Sequence, residues 1–153
     1  YLKRENHSLG QTEELSWIVT LLDQRLEGVN DFDSEVGLKF ELFGFMISGV
    51  PDLVIEKKEI WDFKTGAYDE VKNEAYLFQL KCYALALSSI SNVDQFKLVI
   101  AYIDDKKTLE YCFDIQQIEN DVFKVWKSIQ NPEQMNQSYC RKCSYRKLCH
   151  TNQ

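Results

Sequence analysis

Hydrophobic residues recur at helical spacing in three segments of the chain. The first segment, 12–27, ends before Gly28, a residue type that commonly stops helices. The second segment, 71–89, has the clearest apolar stripe, with aromatic and leucine side chains three or four positions apart. The third segment covers 115–129. These patterns predict three helices.

Short apolar or alternating runs lie between these segments and predict strands. Three runs precede the second predicted helix and two follow it: 37–49, 53–55, 60–63, 96–103 and 108–113. The polar stretch 56–59 is typical of a hairpin connection between the second and third runs. The order helix, three strands, helix, two strands, helix predicts an α/β fold, with a small mixed β-sheet flanked by helices.

Composition and charge narrow the class of protein. A chain of 153 residues predicts one domain, and no apolar run approaches the roughly 20 residues of a membrane span. The first residues do not resemble a secretory signal, and the chain starts at Tyr1, which suggests a piece of a longer protein. The net charge of −6 argues against a large basic face for nucleic acid.

Two aspartates and a lysine interrupt the strand-like segment around the predicted hairpin. Strand side chains alternate between faces, so Asp62 and Lys64 point to the same side. If 53–55 pairs with 60–63, Asp52 lies near Asp62, and two close carboxylates repel unless a cation lies between them. Oxygen ligands favour Mg²⁺ or Mn²⁺, which can polarise a phosphoryl oxygen and generate hydroxide. The alternative is an exposed ion pair on a strand surface.

Three motifs around these residues together resemble one known family. Gly49-Val-Pro-Asp52, Asp62-Phe-Lys64-Thr-Gly66 and Gln79-Leu-Lys-Cys-Tyr83 occur in this order over about a quarter of the chain. The series is similar to the RecB-type branch of the PD-(D/E)XK nuclease superfamily, which includes AddB-like and CRISPR-adaptation nucleases. The resemblance implies a restriction-endonuclease-like core.

The resemblance implies roles for the residues of the central motif. Asp52 and Asp62 would be ligands of Mg²⁺ or Mn²⁺, and the Phe63 carbonyl would add another oxygen. Lys64 would be the catalytic lysine. The substrate would be DNA.

Two further parts of the resemblance leave alternatives open. Gln79 and Tyr83 would line the site and contact the nucleic acid, although Tyr83 also fits the apolar stripe of its helix. The family often has a His four residues after a glycine on an upstream helix, where this chain has Glu14. Glu14 or His7 would supply that ligand; otherwise Glu14 compensates the helix dipole and His7 is exposed.

Three of the five cysteines cluster near the end of the sequence as Cys140-Arg-Lys-Cys143-Ser-Tyr-Arg-Lys-Leu-Cys149. Three nearby thiolates predict a metal site in a reducing, intracellular compartment. Zn²⁺ would need a fourth ligand such as His150. The tail also resembles the iron–sulfur subset of RecB-type nucleases, in which a cysteine precedes the core. No cysteine precedes Cys82, so either that fourth ligand lies upstream of Tyr1 or the cluster is absent or incomplete.

Together these features predict a nuclease core at 1–132 and a cysteine-rich metal-binding tail of the same domain at 133–153. The expected activity is metal-dependent hydrolysis of DNA, with an exonuclease on single-stranded ends preferred to an endonuclease. A helicase domain or subunit is the expected partner, in a repair or recombination assembly in the cytoplasm or nucleoid. The alternative is an inactive nuclease-like module that binds DNA or protein and carries a structural metal.

Overall fold

Helices and strands alternate along the chain. A computed structural model describes the backbone of residues 10–130 and the side chains of residues 13–130. The elements in chain order are α1 (Gly10–Leu26), β1 (Phe32–Ser34), β2 (Leu38–Leu42), β3 (Phe45–Gly49), β4 (Leu53–Ile55), β5 (Glu59–Lys64), α2 (Glu70–Ser88), β6 (Gln95–Tyr102), β7 (Lys107–Asp114) and α3 (Ile115–Gln130).

The main sheet is mixed. Its five strands lie in the order β1-β4-β5-β6-β7, and β2 pairs with β3 in a separate two-stranded sheet. Only β5 and β6 run parallel within these sheets; the other neighbours are antiparallel. The parallel pair requires a crossover, which α2 supplies. The predicted α/β class, a mixed sheet with helices, is confirmed.

Two strands differ from the sequence prediction. The single strand expected over 37–49 is a hairpin, because Phe43 and Gly44 turn the chain with φ angles of 51° and 84°. Strand β1 has three residues, all exposed, so it leaves no apolar pattern to recognise.

The two faces of β5 contact different helices. Trp61 and Phe63 belong to the cluster that includes Ile18 and Leu22 of α1, with Val99 of β6. Because successive strand side chains point to opposite faces, Asp62 and Lys64 lie on the other face. Helix α2 contacts both β5 and β6 and covers that face. The acidic motif therefore faces α2.

Helix α2 begins at a well-formed N-cap. Asp69 has an extended backbone and its side chain accepts a hydrogen bond from the Lys72 N–H at 2.9 Å. Its buried side chains include Leu80 and Tyr83. No helix within residues 10–130 is long and apolar enough to cross a membrane.

The chain divides into two compact units, Tyr1–Glu119 and Asn120–Gln153. The first contains both sheets, α1 and α2. In the described part of the second, which continues α3, the rings of Phe123 and Trp126 stack with centroids 5.8 Å apart.

Candidate active site

The β4–β5 hairpin brings the two aspartates to one face of the sheet. Leu53 pairs with Trp61 in the antiparallel ladder, and extending this register by one residue sets Asp52 opposite Asp62. Side chains of directly opposed residues lie on the same face, with their Cβ atoms about 5 Å apart. The hairpin pairing expected from the sequence is observed. The turn is made by Glu56 and Lys57, both with positive φ.

Asp52 is held by contacts on both of its sides. Pro51 before it is fully buried, and the Asp52 carbonyl accepts a hydrogen bond from the Glu35 N–H at 3.1 Å. The Asp52 Oδ2 accepts a second hydrogen bond, from the Phe63 N–H, at 2.6 Å. The carboxylate is therefore directed toward β5. The Phe63 amide thus orients Asp52, and a metal-ligand role for the Phe63 carbonyl stays a prediction.

Asp62 is a buried carboxylate with few polar partners. It is 5% exposed, and within the described residues the partner recorded for its Oδ2 is the Lys64 ammonium. The Lys64 Nζ lies 2.6 Å from that oxygen and forms an ion pair with it. Burial raises the pKa of Asp62; Lys64 opposes this shift, and the charge of Asp52 adds to it.

These residues fit a hard divalent cation. Mg²⁺ commonly binds through one or two carboxylates and completes its shell with water and substrate phosphate oxygens. The buried Asp62 carboxylate, with a second carboxylate opposite it, matches that donor set. Between residues 13 and 130, however, no three His, Cys, Asp or Glu side chains converge as a metal-holding group.

The predicted upstream ligands are not joined to the aspartate pair by the described structure. Glu14 lies on α1, half-buried, and is not part of any such three-residue group. His7 lies outside the described residues. A ligand role for either residue stays a prediction.

The first and third motifs contact each other. A Cβ atom at Gly49 would lie 2.3 Å from Cε1 of Tyr83, so β3 approaches α2 closely only because residue 49 has no side chain. Tyr83 is buried, and its Oη accepts a hydrogen bond from the Gln79 Nε2 at 2.6 Å. Tyr83 thus belongs to the packed stripe of α2 and also fixes the amide of Gln79.

Tyr76 is part of the site and was not predicted. The Lys64 ammonium lies 4.2 Å from the centroid of the Tyr76 ring, within the range of a cation–π contact. Tyr76 precedes Gln79 by three positions and Tyr83 by seven, so all three share one flank of α2. That spacing was the available signal in the sequence.

The loop after Lys64 is tied to the β6–β7 turn. The Gly66 N–H donates to the Asp104 Oδ2 at 2.6 Å, and the Tyr68 N–H donates to the Asp105 Oδ2, also at 2.6 Å. Gly66 has a φ of 98°, a conformation that favours glycine. These two turn aspartates were missed as anchors; the signal in the sequence was the Asp-Asp pair between the strands predicted at 96–103 and 108–113.

A buried polar cluster supports α2 from the neighbouring strands. The Tyr102 hydroxyl donates to the Asn73 Oδ1 at 3.1 Å, and the Asn73 Nδ2 donates to the Tyr111 Oη at 2.9 Å. Burial raises the pKa of Tyr102 to about 12. Every polar group named here has a partner, so the cluster positions the helix and offers no unpaired atom for chemistry.

The cysteine tail lies outside the described residues. Cys140, Cys143 and Cys149 fall beyond residue 130, as does the boundary expected at 132. Their assignment to an iron–sulfur cluster or to Zn²⁺ therefore stays a prediction.

Comparison with known proteins gives one family match. The family model for the PD-(D/E)XK nuclease superfamily matches residues 3–150. No curated protein is similar enough to the chain to count as a match.

Two solved structures match the chain at low sequence identity. SSO0001 is 19% identical, with a TM-score of 0.48, and the match covers 95% of this chain and 70% of that one. A provisionally assigned exonuclease from Eubacterium rectale is 15% identical, with a TM-score of 0.47, over 81% of this chain. The chain spans 55% of the length of that second protein.

Proposed function

The chain belongs to the PD-(D/E)XK nuclease superfamily, and from that premise we propose that it is a metal-dependent deoxyribonuclease. The observation that carries the proposal is the buried Asp62 carboxylate, which lies opposite a second carboxylate and has the Lys64 ammonium on its Oδ2. The family generally uses divalent metals such as Mg²⁺ or Mn²⁺. Asp52 and Asp62 would hold the ion.

Each residue has a distinct part in the proposed hydrolysis. When bound, a divalent cation polarises a phosphoryl oxygen and makes water a stronger nucleophile. Lys64 lies beside Asp62 and would neutralise negative charge that develops on the phosphate or orient the attacking water. Gln79, fixed by Tyr83, would contact the nucleic acid. Asp52 is oriented by the Phe63 amide and would keep the ion in place.

The proposed substrate is a single-stranded DNA end, and the proposed class is an exonuclease of the RecB type. The three motifs from Gly49 to Tyr83 support that branch. A net charge of −6 gives the chain little general attraction to DNA. This supports a helicase domain or subunit as the source of most of the DNA-binding affinity. An iron–sulfur cluster on Cys140, Cys143 and Cys149 belongs to the same proposal.

Cleavage of labelled DNA tests the activity. We expect a linear single-stranded oligonucleotide to shorten in Mg²⁺ or Mn²⁺ and to stay intact in chelator. A circular single strand should resist, because it offers no end. Asp52→Asn should abolish shortening, and the exposed Asp33→Asn should not. Equal shortening with and without chelator, or in Asp52→Asn, would overturn the metal site; rapid cutting of circles would overturn the exonuclease assignment.

A binding module without activity is the second candidate. The chain has Glu14 where the resemblance leads one to expect a His, and its net charge is −6; both features favour this candidate. This candidate predicts that the chain binds DNA or a partner protein, and that no metal produces cleavage.

A further inference from the structure

The Lys64 ammonium has two partners in the site. Its Nζ lies 2.6 Å from the Asp62 Oδ2 and 4.2 Å from the centroid of the Tyr76 ring. The Lys64 side chain is 21% exposed, so both contacts form largely away from solvent. The ion pair and the cation–π contact therefore hold the ammonium together.

The contact with Asp62 conflicts with the proposed metal site. An ammonium 2.6 Å from the Oδ2 occupies the region that a divalent cation would take, and the two positive charges repel. If the ion binds through the Oδ2, Lys64 must leave that oxygen. The Tyr76 ring attracts an ammonium through its quadrupole without using a carboxylate oxygen, so it can keep Lys64 close.

We propose that Tyr76 is a positioning residue that retains the Lys64 ammonium beside the acid pair when a divalent cation takes over the Asp62 Oδ2. The role rests on the proposed function, since it presumes metal binding at Asp62. The chemistry needs the face of an aromatic ring and does not need the Tyr76 hydroxyl. Phenylalanine should therefore replace Tyr76, and leucine should not.

The position of Tyr76 on α2 suits this role. It lies one turn before Gln79 on the flank that also carries Tyr83. Tyr83 packs directly against Gly49 of β3 and is buried, which fixes this flank of the helix relative to the hairpin that carries Asp52. The ring is thus presented from a rigid element and not from a loop.

Nuclear magnetic resonance of the metal-free protein tests the contact itself. A proton above an aromatic face is shifted upfield, so the Lys64 ε-methylene signal should be upfield in the wild type and in Tyr76→Phe. It should return to the usual lysine position in Tyr76→Leu. The signal is identified by its loss in Lys64→Met. The exposed Phe45→Leu is the matched control and should not move it. An unshifted signal in the wild type would overturn the proposal.

A double-mutant cycle on Mn²⁺ affinity tests the role. Without the ring, Lys64 stays on Asp62 and competes with the ion. Because the ring already contacts Lys64 in the metal-free protein, only the strengthening of that contact on metal binding changes the affinity, so Tyr76→Leu should weaken Mn²⁺ binding about 2- to 30-fold, with the energy of a full cation–π contact as the upper limit. In a Lys64→Met background the same change should have an effect of less than about twofold, because no competitor remains. Tyr76→Phe should stay close to the wild type.

The outcomes separate this proposal from the proposed function. If Tyr76→Leu lowers Mn²⁺ affinity equally in the wild type and in Lys64→Met, the effect is merely structural. That result would overturn the role of Tyr76 and leave the proposed function standing. A wild-type protein that binds no Mn²⁺ would overturn the proposed function. An affinity unchanged by Tyr76→Leu in the wild-type background would also overturn the role of Tyr76.

Discussion

Strand β5 buries two carboxylates three positions apart, on opposite faces of the sheet. Glu59 is 7% exposed and Asp62 is 5% exposed. Both Glu59 oxygens are bonded: Arg25 contacts both through Nε and Nη2, and the Trp61 Nε1 donates to Oε1 at 2.7 Å. Asp62 instead has the Lys64 ammonium on its Oδ2, and that oxygen has no further partner within residues 13–130.

The difference shows which buried charge is available for chemistry. The hydrogen bond with Glu59 is the largest contribution that raises the pKa of Arg25, as expected for a satisfied pair that fixes α1 to the sheet. At Asp62, burial raises the pKa of the acid itself, because its partners do not fully replace water. Burial of a carboxylate alone therefore does not mark an active site. On this strand, the carboxylate with fewer partners is the one that faces a second acid.

The largest expected effect is the difference in DNA cleavage rate between variants of Asp62 and of Glu59. Asp62→Ala should reduce cleavage of single-stranded DNA by at least about 1,000-fold, since it removes the proposed metal ligand and its charge. Glu59→Gln should change the rate per folded molecule by less than about threefold. The rates are measured at equal concentrations of folded protein, checked by circular dichroism. Similar losses in the two variants would contradict the division of roles.

For stability, the Glu59 cluster is expected to matter most. Arg25→Met leaves Glu59 as a buried charge without its cation and should lower the free energy of unfolding by about 3 kcal/mol. Lys58→Met, which breaks the exposed pair with Glu56, should cost less than about 1 kcal/mol. Urea denaturation measures both. A cost for Arg25→Met no larger than that for Lys58→Met would contradict a structural role for the Glu59 cluster.

A smaller effect is expected where β3 meets α2. Gly49→Ala puts a methyl group against Tyr83 and should destabilise the protein by about 1–3 kcal/mol, because ring and backbone must shift apart. Gly37→Ala is the control, since a Cβ there meets nothing within 4 Å. Thermal unfolding of the two variants checks the difference. Equal melting temperatures would show that the close approach at Gly49 is not required.

The smallest effect concerns the pH dependence of stability without metal. Because the pKa of Asp62 is raised above its ordinary value of 3.8, the folded state binds a proton that the unfolded chain has already lost. Stability therefore falls as the pH rises from 3.8 through the native pKa. Asp62→Asn should remove this loss and be more stable than the wild type at pH 7, with a smaller difference at pH 3. Asp94 is exposed, and Asp94→Asn is the control that should not reproduce this change. If the free energy of unfolding depends on pH in the same way in Asp62→Asn and in the wild type, the raised pKa of Asp62 is contradicted.

Periodicity predicted the elements that bury one face. The helix expected over 71–89 is Glu70–Ser88, and the strands expected over 53–55 and 60–63 agree with β4 and β5 to within one residue at each end. The facing of Asp52 and Asp62 followed from this hairpin, because antiparallel pairing and side-chain alternation depend only on local sequence.

Other features depend on contacts between distant residues. Arg25 and Glu59 are 34 positions apart, and nothing local to either one indicates their pairing. The turn at Phe43 and Gly44 was missed because apolar residues continue through it, although Gly44 was a signal. Tyr76 was assigned to the apolar stripe of its helix, since periodicity does not distinguish a ring that packs from one that also holds an ammonium.

The most direct test of the central claim is the anomalous diffraction of Mn²⁺ in crystals of this protein. We predict one peak that lies within about 2.5 Å of a carboxylate oxygen of Asp52 and also of a carboxylate oxygen of Asp62. Lys64 should have moved off the Asp62 Oδ2 toward the Tyr76 ring. A saturating soak that gives no peak there, with the Lys64 ammonium still on that oxygen, would contradict the account.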